Sequence, residues 1–187
     1  MIAANTSAGA TTREQIVRIA RELIQTRSYL GFSFQDVADQ VGIRKASLYH
    51  HFPTKEALGI EVLRGAAQAF KDWVAAKPRA PEAALDAYFR MYRNGLHAGE
   101  GVCPAGALAP GWDCIDEDLR RAVRDLRSTQ ILWLGGVLGA LSPGRDVGAS
   151  AAYVFAVCQG ALLSARMTGR AEEFDEAIEQ LKLSLGR

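Results

Sequence analysis

The sequence has 187 residues, a net charge of +1 and 49% hydrophobic residues, with aromatic residues making up 8% of the chain. A chain of this length and apolar content can bury a substantial core, which excludes an intrinsically disordered protein. Abundant alanine and leucine with few β-branched runs predict an all-α fold.

Positive charge is concentrated near the N-terminus. Residues 1–55 contain seven Lys and Arg against four Asp and Glu, a net charge of +3, whereas the rest of the chain has a net charge of −2. Attraction for phosphate is therefore expected only in the N-terminal quarter of the chain.

The three cysteines form no CxxC pair and have no regularly spaced histidines beside them. Zinc and a disulfide framework are therefore not expected, and no cofactor or metal is predicted. The first residues lack a basic segment followed by an apolar one, so no secretory signal is predicted and a cytoplasmic location is expected. Residues 1–10 are expected to be flexible.

The first predicted helix begins at Thr12, which has the capping-box spacing with Gln15. Its apolar residues recur at helical spacing and form one face. They are Ile16, Ile19, Ala20, Leu23 and Ile24.

A helix-turn-helix follows. Ser33, with Asp36 three residues later, caps a short second helix that stops at Gly42. A third helix, 45–51, begins almost at once, and Thr54 caps a fourth. Two short helices joined by a tight glycine turn are typical of a DNA-binding head.

The third helix has one apolar and one polar side. Ile43, Leu48 and Phe52 are predicted to anchor it against the first two helices. The outward residues are predicted to be Lys45, Ala46, Ser47, Tyr49 and His50. Cations and hydroxyls can bond phosphates or base edges, and a small residue permits close approach, as a major groove requires. The alternative is an ordinary solvated helix face.

The segment GFSFQDVADQVGIRKASLYHHFPTKEAL resembles the DNA-binding segment of the tetracycline-repressor (TetR) family of bacterial transcriptional regulators. The resemblance covers about residues 13–63. Beyond them only the helical architecture resembles the family. The resemblance implies DNA contacts at Lys45, Tyr49, His50, His51 and Lys55, with Lys55 binding phosphate beside a helix N-terminus. With the neighbouring residues, the predicted contact set is Arg44, Lys45, Ala46, Ser47, Tyr49, His50, His51 and Lys55.

Arg44 departs from the family, which usually has Ser or Thr there. The departure removes an N-cap and adds a cation, so a different phosphate or base contact is expected. His51 is predicted to be partly packed. Adjacent histidines project about 100° apart on a helix and no third ligand is evident, so no metal site is predicted.

The rest of the chain is predicted to form a helical bundle. Pro78 and Pro81 are expected to end the fourth helix. Five further helices are predicted at 82–97, 104–109, 116–141, 147–168 and 171–185. The predicted division is a DNA-binding domain at residues 1–55 and an effector-binding and dimerisation domain at residues 56–187.

The eighth helix is uncharged from Val147 to Ala165 and approaches the length of a membrane span. Its polar and small residues favour a buried helix of a soluble bundle, so no membrane association is expected. Small residues recur at every fourth position and form a low ridge, at Gly148, Ala152, Ala156, Gly160 and Ser164. Such a ridge permits close packing, either within the subunit or against a second copy. The resemblance implies a homodimer through the last two helices, which fits this ridge.

An effector cavity is expected among the middle helices, where large side chains with polar tips combine apolar area and hydrogen-bonding capacity. The predicted lining is Tyr88, Tyr92, His97, Cys103, Trp112 and Trp133. Pro104 suits the first position of a helix, which places Cys103 near an N-cap and favours its thiolate. Cys103 is therefore either a redox or electrophile sensor or a small residue that caps the cavity.

No GxSxG, HExxH, Walker-type or GxGxxG pattern occurs, so the chain is predicted not to be an enzyme. The predicted function is a DNA-binding transcriptional regulator. Repression is the family's expectation, and a small molecule or thiol modification would switch affinity for a palindromic operator in double-stranded DNA. The alternatives are a helical protein-interaction module and a small enzyme without DNA binding.

Overall fold

The computed structural model describes residues 10–76, 80–97, 102–142 and 146–186, with the side chain of His97 left undescribed. These residues are helical and include no strand, as predicted. The helices are α1 (Thr12–Arg27), α2 (Phe34–Val41), α3 (Lys45–His51), α4 (Lys55–Ala75), α5 (Pro81–His97), α6 (Pro104–Ala107), α7 (Glu117–Leu141), α8 (Val147–Thr168) and α9 (Glu172–Ser184). Short 3-10 helices at Tyr29–Gly31 and Ala109–Cys114, which the sequence did not predict, join α1 to α2 and α6 to α7.

Helix caps explain most of the boundaries. The capping box of α1 lies one residue earlier than predicted, because Thr11 and Glu14 form it, not Thr12 and Gln15. The Glu14 carboxylate accepts from both the Thr11 N–H (2.7 Å) and hydroxyl (3.0 Å), and a carboxylate is the better partner at a helix N-terminus. The predicted caps Ser33 and Thr54 are confirmed, since each accepts from the backbone N–H three residues later.

Prolines account for the differences between the predicted and the observed bounds of the fourth and fifth helices. Helix α4 ends at Ala75, before the prolines, and Pro81 is the first residue of α5. Proline suits a first helical position because its missing N–H would have no partner there. The predicted role of Pro78 lies outside the described residues. Helix α6 is shorter than predicted because the chain tightens into the second 3-10 helix.

Two apolar clusters hold the molecule together. The first joins α1, α2, α3 and the start of α4 to α6 and the start of α7, through Leu63, Leu108 and Leu119 among others. The second lies within α4, α5, α7, α8 and α9. Residue 55, where the sequence predicts the domain boundary, is the first residue of α4, and α4 contributes to both clusters. The head (α1 to α3) therefore packs directly on the bundle (α4 to α9).

Helix α8 is long and apolar enough to cross a membrane by length and composition. One of its faces is buried against α7 and α9, through Val154, Phe155, Cys158 and Leu162 among others. A helix that is uncharged from Val147 to Ala165 and has one buried face is also found in the core of soluble bundles.

Candidate DNA-binding surface and effector cavity

The turn between α2 and α3 depends on a glycine. Gly42 has φ +81°, in the left-handed region that favours glycine, and its N–H donates to the Ala38 carbonyl at 2.9 Å. The Ile43 N–H donates to the same carbonyl at 3.0 Å. These two bonds end α2 and redirect the chain within two residues, which sets the direction of α3.

Helix α3 is anchored by its apolar side, as predicted. Leu48 is 0% exposed and Phe52 is 3% exposed, while Ile43 is half-buried. The guanidinium of Arg13 lies 4.8 Å from the centre of the Phe52 ring and adds a cation–π contact from α1. A seven-residue helix is marginal alone, so these contacts determine its position.

The opposite side of α3 is open to solvent. Lys45, Ala46 and His50 are exposed, and Tyr49 is 49% exposed with its ring 5.2 Å from that of Phe34. Ser47 is half-buried. The prediction that His51 is partly packed is wrong, because its side chain is exposed.

Arg44 is the N-cap residue of α3, with extended backbone (φ −71°, ψ 144°) and no side-chain hydrogen bond to the helix. Arg44 is exposed, and neither it nor Lys45 has an ion-pair partner within the described ranges. The first turn of α3 contains no acidic residue. Two cations therefore lie unneutralised where the helix dipole also favours an anion, an arrangement suited to phosphate.

Replacing Arg44 with serine is expected to change stability and DNA binding in opposite directions. Serine would supply the missing N-cap and raise the free energy of unfolding by about 1 kcal/mol. Removal of one phosphate-binding cation would weaken duplex binding and reduce the slope of log K against log salt by about 1. Urea unfolding and duplex titration at several salt concentrations measure the two effects. Arg44→Lys is the control that keeps the charge without the cap, and unchanged duplex binding by Arg44→Ser would exclude a contact there.

Lys55 has a structural role that the sequence did not predict. Its Nζ donates to the carbonyls of Tyr29 (2.6 Å) and Phe32 (2.5 Å) and lies 4.5 and 4.1 Å from the centres of their rings. Burial lowers the pKa of this ammonium. Two of its three N–H groups are thus used to hold the 3-10 helix beside α4, and the predicted phosphate contact would depend on the third.

A cavity of about 300 Å³ lies between the head and the bundle. Its walls come from six helices, including α1 of the head. The lining residues are Arg21, Gln25, Ala66, Ala69, Phe70, Trp73, Met91, Tyr92, Gly95, Val102, Cys103, Pro104, Leu126, Gln130 and Leu162. The volume is at the lower end of the range for small-molecule sites, and the lining is mostly apolar, as such sites usually are.

A buried polar network forms one wall of the cavity. The hydroxyls of Tyr88 and Tyr92 donate to Gln130 Oε1 at 2.9 and 2.8 Å, and Gln159 Nε2 donates to the Tyr92 hydroxyl at 3.1 Å. Burial raises the pKa of both phenols well above the ordinary value. The network is therefore neutral, and it fixes the orientation of the Gln130 side chain.

Of the six predicted cavity residues, Tyr92 and Cys103 line the cavity. Tyr88 and Trp133 lie behind its wall with their rings 5.5 Å apart. Trp112 is not part of the lining, because the second 3-10 helix packs it against the first apolar cluster. The side chain of His97 lies outside the described residues.

The sequence did not lead to the prediction of Gln25 and Gln130 as cavity residues, although the pattern around Gln130 indicates a special position. Gln130 interrupts an apolar stripe of α7 that includes Leu126 and Leu134, and it is only 4% exposed. A glutamine at a core position of an amphipathic helix indicates a buried polar function. Gln25 likewise occupies a buried position on α1.

The three cysteines occupy different environments. Cys103 is half-buried and is the N-cap residue of the four-residue helix α6, without a side-chain hydrogen bond to that helix. Cys114 is exposed, and Cys158 is buried, which raises its pKa. Cys158 is therefore an inert core thiol, while the thiolate at Cys103 stays a prediction.

Part of α8 remains uncovered in the subunit. Gly148, Ala156 and Gly160 are exposed, and Ala152 and Ser164 are half-buried. Large apolar side chains flank this ridge: Tyr153 and Leu163 are each 48% exposed and Met167 is 80% exposed. Leu183 on the neighbouring α9 is 65% exposed. Together they form the uncovered face, an apolar surface that a soluble protein usually covers with a partner.

Comparison with known proteins adds three findings. The family model "Bacterial regulatory proteins, tetR family" matches residues 16–62, which are the helix-turn-helix and its flanking helices. The transcriptional repressor KstR2 of Mycolicibacterium smegmatis is 37% identical over 65 residues, which is 35% of this chain and 30% of that protein. The chain thus matches less than a third of the length of that relative.

Solved structures extend the similarity to the whole fold. A tetR-family transcriptional regulator from Agrobacterium tumefaciens superimposes with a TM-score of 0.85 and 28% identity, covering 94% of this chain and 96% of that one. The reduced form of Escherichia coli NemR has the same fold, with a TM-score of 0.78 and 22% identity over 91% of this chain and 95% of that one. KstR2 is named as a transcriptional repressor, and the Agrobacterium tumefaciens protein is named as a transcriptional regulator.

Proposed function

The chain belongs to the tetR family of bacterial regulatory proteins, and from this premise we propose that it is a dimeric, ligand-released transcriptional repressor. Proteins of this family bind operator DNA and act as dimers with small-molecule effectors. The observation that carries the proposal is the side of α3 that bears Lys45, Ala46, Tyr49 and His50, which is open to solvent and opposite the buried Leu48.

The proposed contacts follow from the chemistry of this side. Lys45 and Arg44 supply cations at the start of α3, and Ser47 and Tyr49 supply hydroxyls for phosphate or base edges. Ala46 permits close approach to the bases, and a histidine ring can donate or accept. His50, His51 and the third N–H of Lys55 complete the proposed contact set.

Two copies of α3 are needed to bind a palindrome. Half-sites in successive major grooves lie about 34–36 Å apart, one turn of DNA, so a two-fold dimer can present both helices at once. The uncovered face of α8 and α9 is the proposed dimer interface, because it combines exposed apolar side chains with a ridge that permits close approach.

The cavity is proposed to be the effector site because it adjoins the head. Arg21 and Gln25 of α1 line the same cavity as Phe70, Trp73 and Gln130 of the bundle. At the C-terminal end of α1, Arg166 of α8 donates to the carbonyl of Gln25 at 2.8 Å and to the carbonyl of Thr26. An occupant that moves α1 would therefore change how the head is held on the helix that forms the proposed dimer interface.

Release from DNA is proposed to follow from the hydrogen bonds that join Arg166 of α8 to the C-terminal end of α1. The effector would bind more tightly to the arrangement in which the two copies of α3 no longer match successive grooves. Because the proposed target is bacterial DNA, the proposed place of action is the cytoplasm.

Selection from a random duplex library tests the proposal. The purified protein is expected to enrich a palindrome whose half-site centres are about one helical turn, or a small multiple of it, apart. Binding to the selected duplex should weaken linearly in log salt, as the release of several counterions requires. Enrichment of no sequence, with salt-insensitive retention, would instead support a protein-interaction module or a small enzyme.

A further inference from the structure

The side chain of Gln130 offers a hydrogen-bond donor to the cavity. Gln130 is 4% exposed, and its Oε1 already accepts from the hydroxyls of Tyr88 and Tyr92. Its amide nitrogen has no protein partner among the described residues, although the side chain lines the cavity. That NH₂ group gives up contact with water when an occupant fills the cavity, so an occupant that supplies an acceptor binds more tightly than one that does not.

The direction of the network determines which atom of Gln130 is free. Gln159 Nε2 donates to the Tyr92 hydroxyl, so that hydroxyl uses its own proton toward Gln130 Oε1. Tyr88 donates to the same oxygen at 2.9 Å. The Tyr88 hydroxyl can also donate to the Tyr92 hydroxyl at 3.2 Å. In either arrangement the Gln130 oxygen accepts from a tyrosine, and the NH₂ group is what Gln130 offers to an occupant.

The remaining walls favour a neutral ligand. Arg21 of α1 is the one cationic residue of the described lining, and it is exposed. A cation would lose hydration without gaining an opposite charge, and an anion would have only the solvent-exposed Arg21 to pair with. Phe70 and Trp73 are stacked on α4, with planes 19° apart and centroids 5.7 Å apart, and supply aromatic walls.

The volume limits the size of the occupant. A volume of about 300 Å³ is at the lower end of the range for small-molecule sites and suits a compound of one ring. We propose that the cavity binds a small, neutral, one-ring aromatic compound whose carbonyl or similar acceptor receives a hydrogen bond from Gln130 Nε2. The inference rests on the proposed function only in treating this cavity as the effector site.

Three compounds of equal size test the ligand class by calorimetric titration in the absence of DNA. Acetophenone has an aromatic ring and a neutral acceptor, isopropylbenzene lacks the acceptor, and benzoate carries a charge. Acetophenone and isopropylbenzene are both expected to bind, and benzoate is expected to bind more weakly than acetophenone. Tighter binding of benzoate than of acetophenone, or no binding of any of the three compounds, would overturn the proposal.

Gln130→Glu isolates the hydrogen bond. Glutamate keeps an oxygen for Tyr88 and Tyr92, and its ionised form replaces the NH₂ group with a second acceptor. Both affinities are therefore measured at a pH high enough to ionise the carboxyl, because a protonated carboxyl would still donate. Acetophenone affinity should fall at least about two- to tenfold, as loss of one neutral hydrogen bond implies, while isopropylbenzene affinity stays unchanged. Gln40→Glu, the same change at an exposed position on α2, should alter neither affinity. Equal effects of Gln130→Glu on both compounds would overturn the assignment to Gln130.

A second measurement uses the unaltered protein and does not depend on the folding of the variant. The carbonyl stretching band of bound ¹³C-labelled acetophenone should lie at lower wavenumber than in hexane, because a hydrogen bond weakens the C=O bond. A band at the hexane position would contradict the proposal. If the selected duplex binds but acetophenone does not, only the ligand class is wrong. If acetophenone binds through Gln130 but no duplex is selected, the ligand site stands and the proposed function fails.

Discussion

Replacing Gly160 with leucine is expected to convert the proposed dimer into monomers without destabilising the subunit. Gly160 is exposed in the interior of α8, and a Cβ there would have no neighbour within 4 Å in the described part of the subunit. Glycine costs about 1 kcal/mol relative to good helix formers, so leucine should stabilise the isolated helix. In the proposed dimer the same side chain would occupy the ridge where the partner's backbone approaches.

The effect on dimerisation and the effect on the stability of the subunit have opposite signs and are measured separately. Sedimentation equilibrium should show a large increase in the dimer dissociation constant, and circular dichroism should show undiminished helix content at the same concentration. Binding to a palindromic duplex should fall to the level expected for a single half-site. These results together would assign the loss of DNA binding to the loss of the dimer.

Gly65→Leu is the matched control. Gly65 is exposed in the interior of α4 and also has no neighbour within 4 Å of an added Cβ among the described residues. This variant should remain dimeric and bind the duplex normally. If Gly160→Leu keeps the dissociation constant of the unaltered dimer, α8 does not form the interface at this position.

Replacing Leu48 with alanine is expected to lower the free energy of unfolding by about 2–5 kcal/mol. Leu48 is 0% exposed and is the buried residue that α3 contributes from its interior, so the change leaves a cavity beneath a helix of seven residues. DNA binding should be lost as well, although no atom of the outward side is removed, because α3 would no longer be held in one orientation.

Urea unfolding at a fixed protein concentration measures the first effect, since the stability of a dimer depends on concentration. Leu132→Ala makes the same substitution at a helical position that is 77% exposed, and it should change stability by no more than about 0.5 kcal/mol. Unchanged stability of Leu48→Ala, or full duplex affinity, would mean that the packing of Leu48 does not orient α3.

The helix-turn-helix could be predicted from the sequence because its signals are local. Ser33 and Asp36 mark the start of α2 within four residues, and Gly42 marks its end by a backbone conformation that favours glycine. The apolar positions of α3, including Leu48, follow from helical spacing alone. Burial of one side then determines which side is exposed, and the structure confirms this for Lys45 and Tyr49.

The cavity could be predicted only in part because its walls come from segments far apart in the chain. Tyr92 was identified from its chemistry, but no periodicity indicated that Arg21 and Gln25 of α1 would face the bundle. Trp112 has the same apolar area and polar tip as Tyr92, yet an unpredicted 3-10 helix packs it elsewhere. The chemical nature of a side chain does not determine which apolar cluster it packs in.

Lys55 illustrates the limit of a family resemblance. The resemblance implies a phosphate contact at Lys55, which stays a prediction, but it gave no indication that the ammonium is hydrogen-bonded to the carbonyls of Tyr29 and Phe32. Those carbonyls are available because the chain forms a 3-10 helix between α1 and α2, a feature too short to leave a periodic signal.

The central claim is that the outward side of α3 lies in the major groove of a duplex. Titration of the selected duplex with the double variant Lys45→Ala and Tyr49→Ala, at several salt concentrations, tests it most directly. Lys71→Ala on the exposed side of α4 is the control for loss of a surface cation.

Both substituted side chains of the double variant are exposed, so its unfolding transition should stay close to that of the unaltered protein. We predict a loss of roughly tenfold or more in affinity and a salt slope smaller by about 1, with no comparable change for Lys71→Ala. Undiminished affinity and an unchanged salt slope in the folded double variant would contradict the claim.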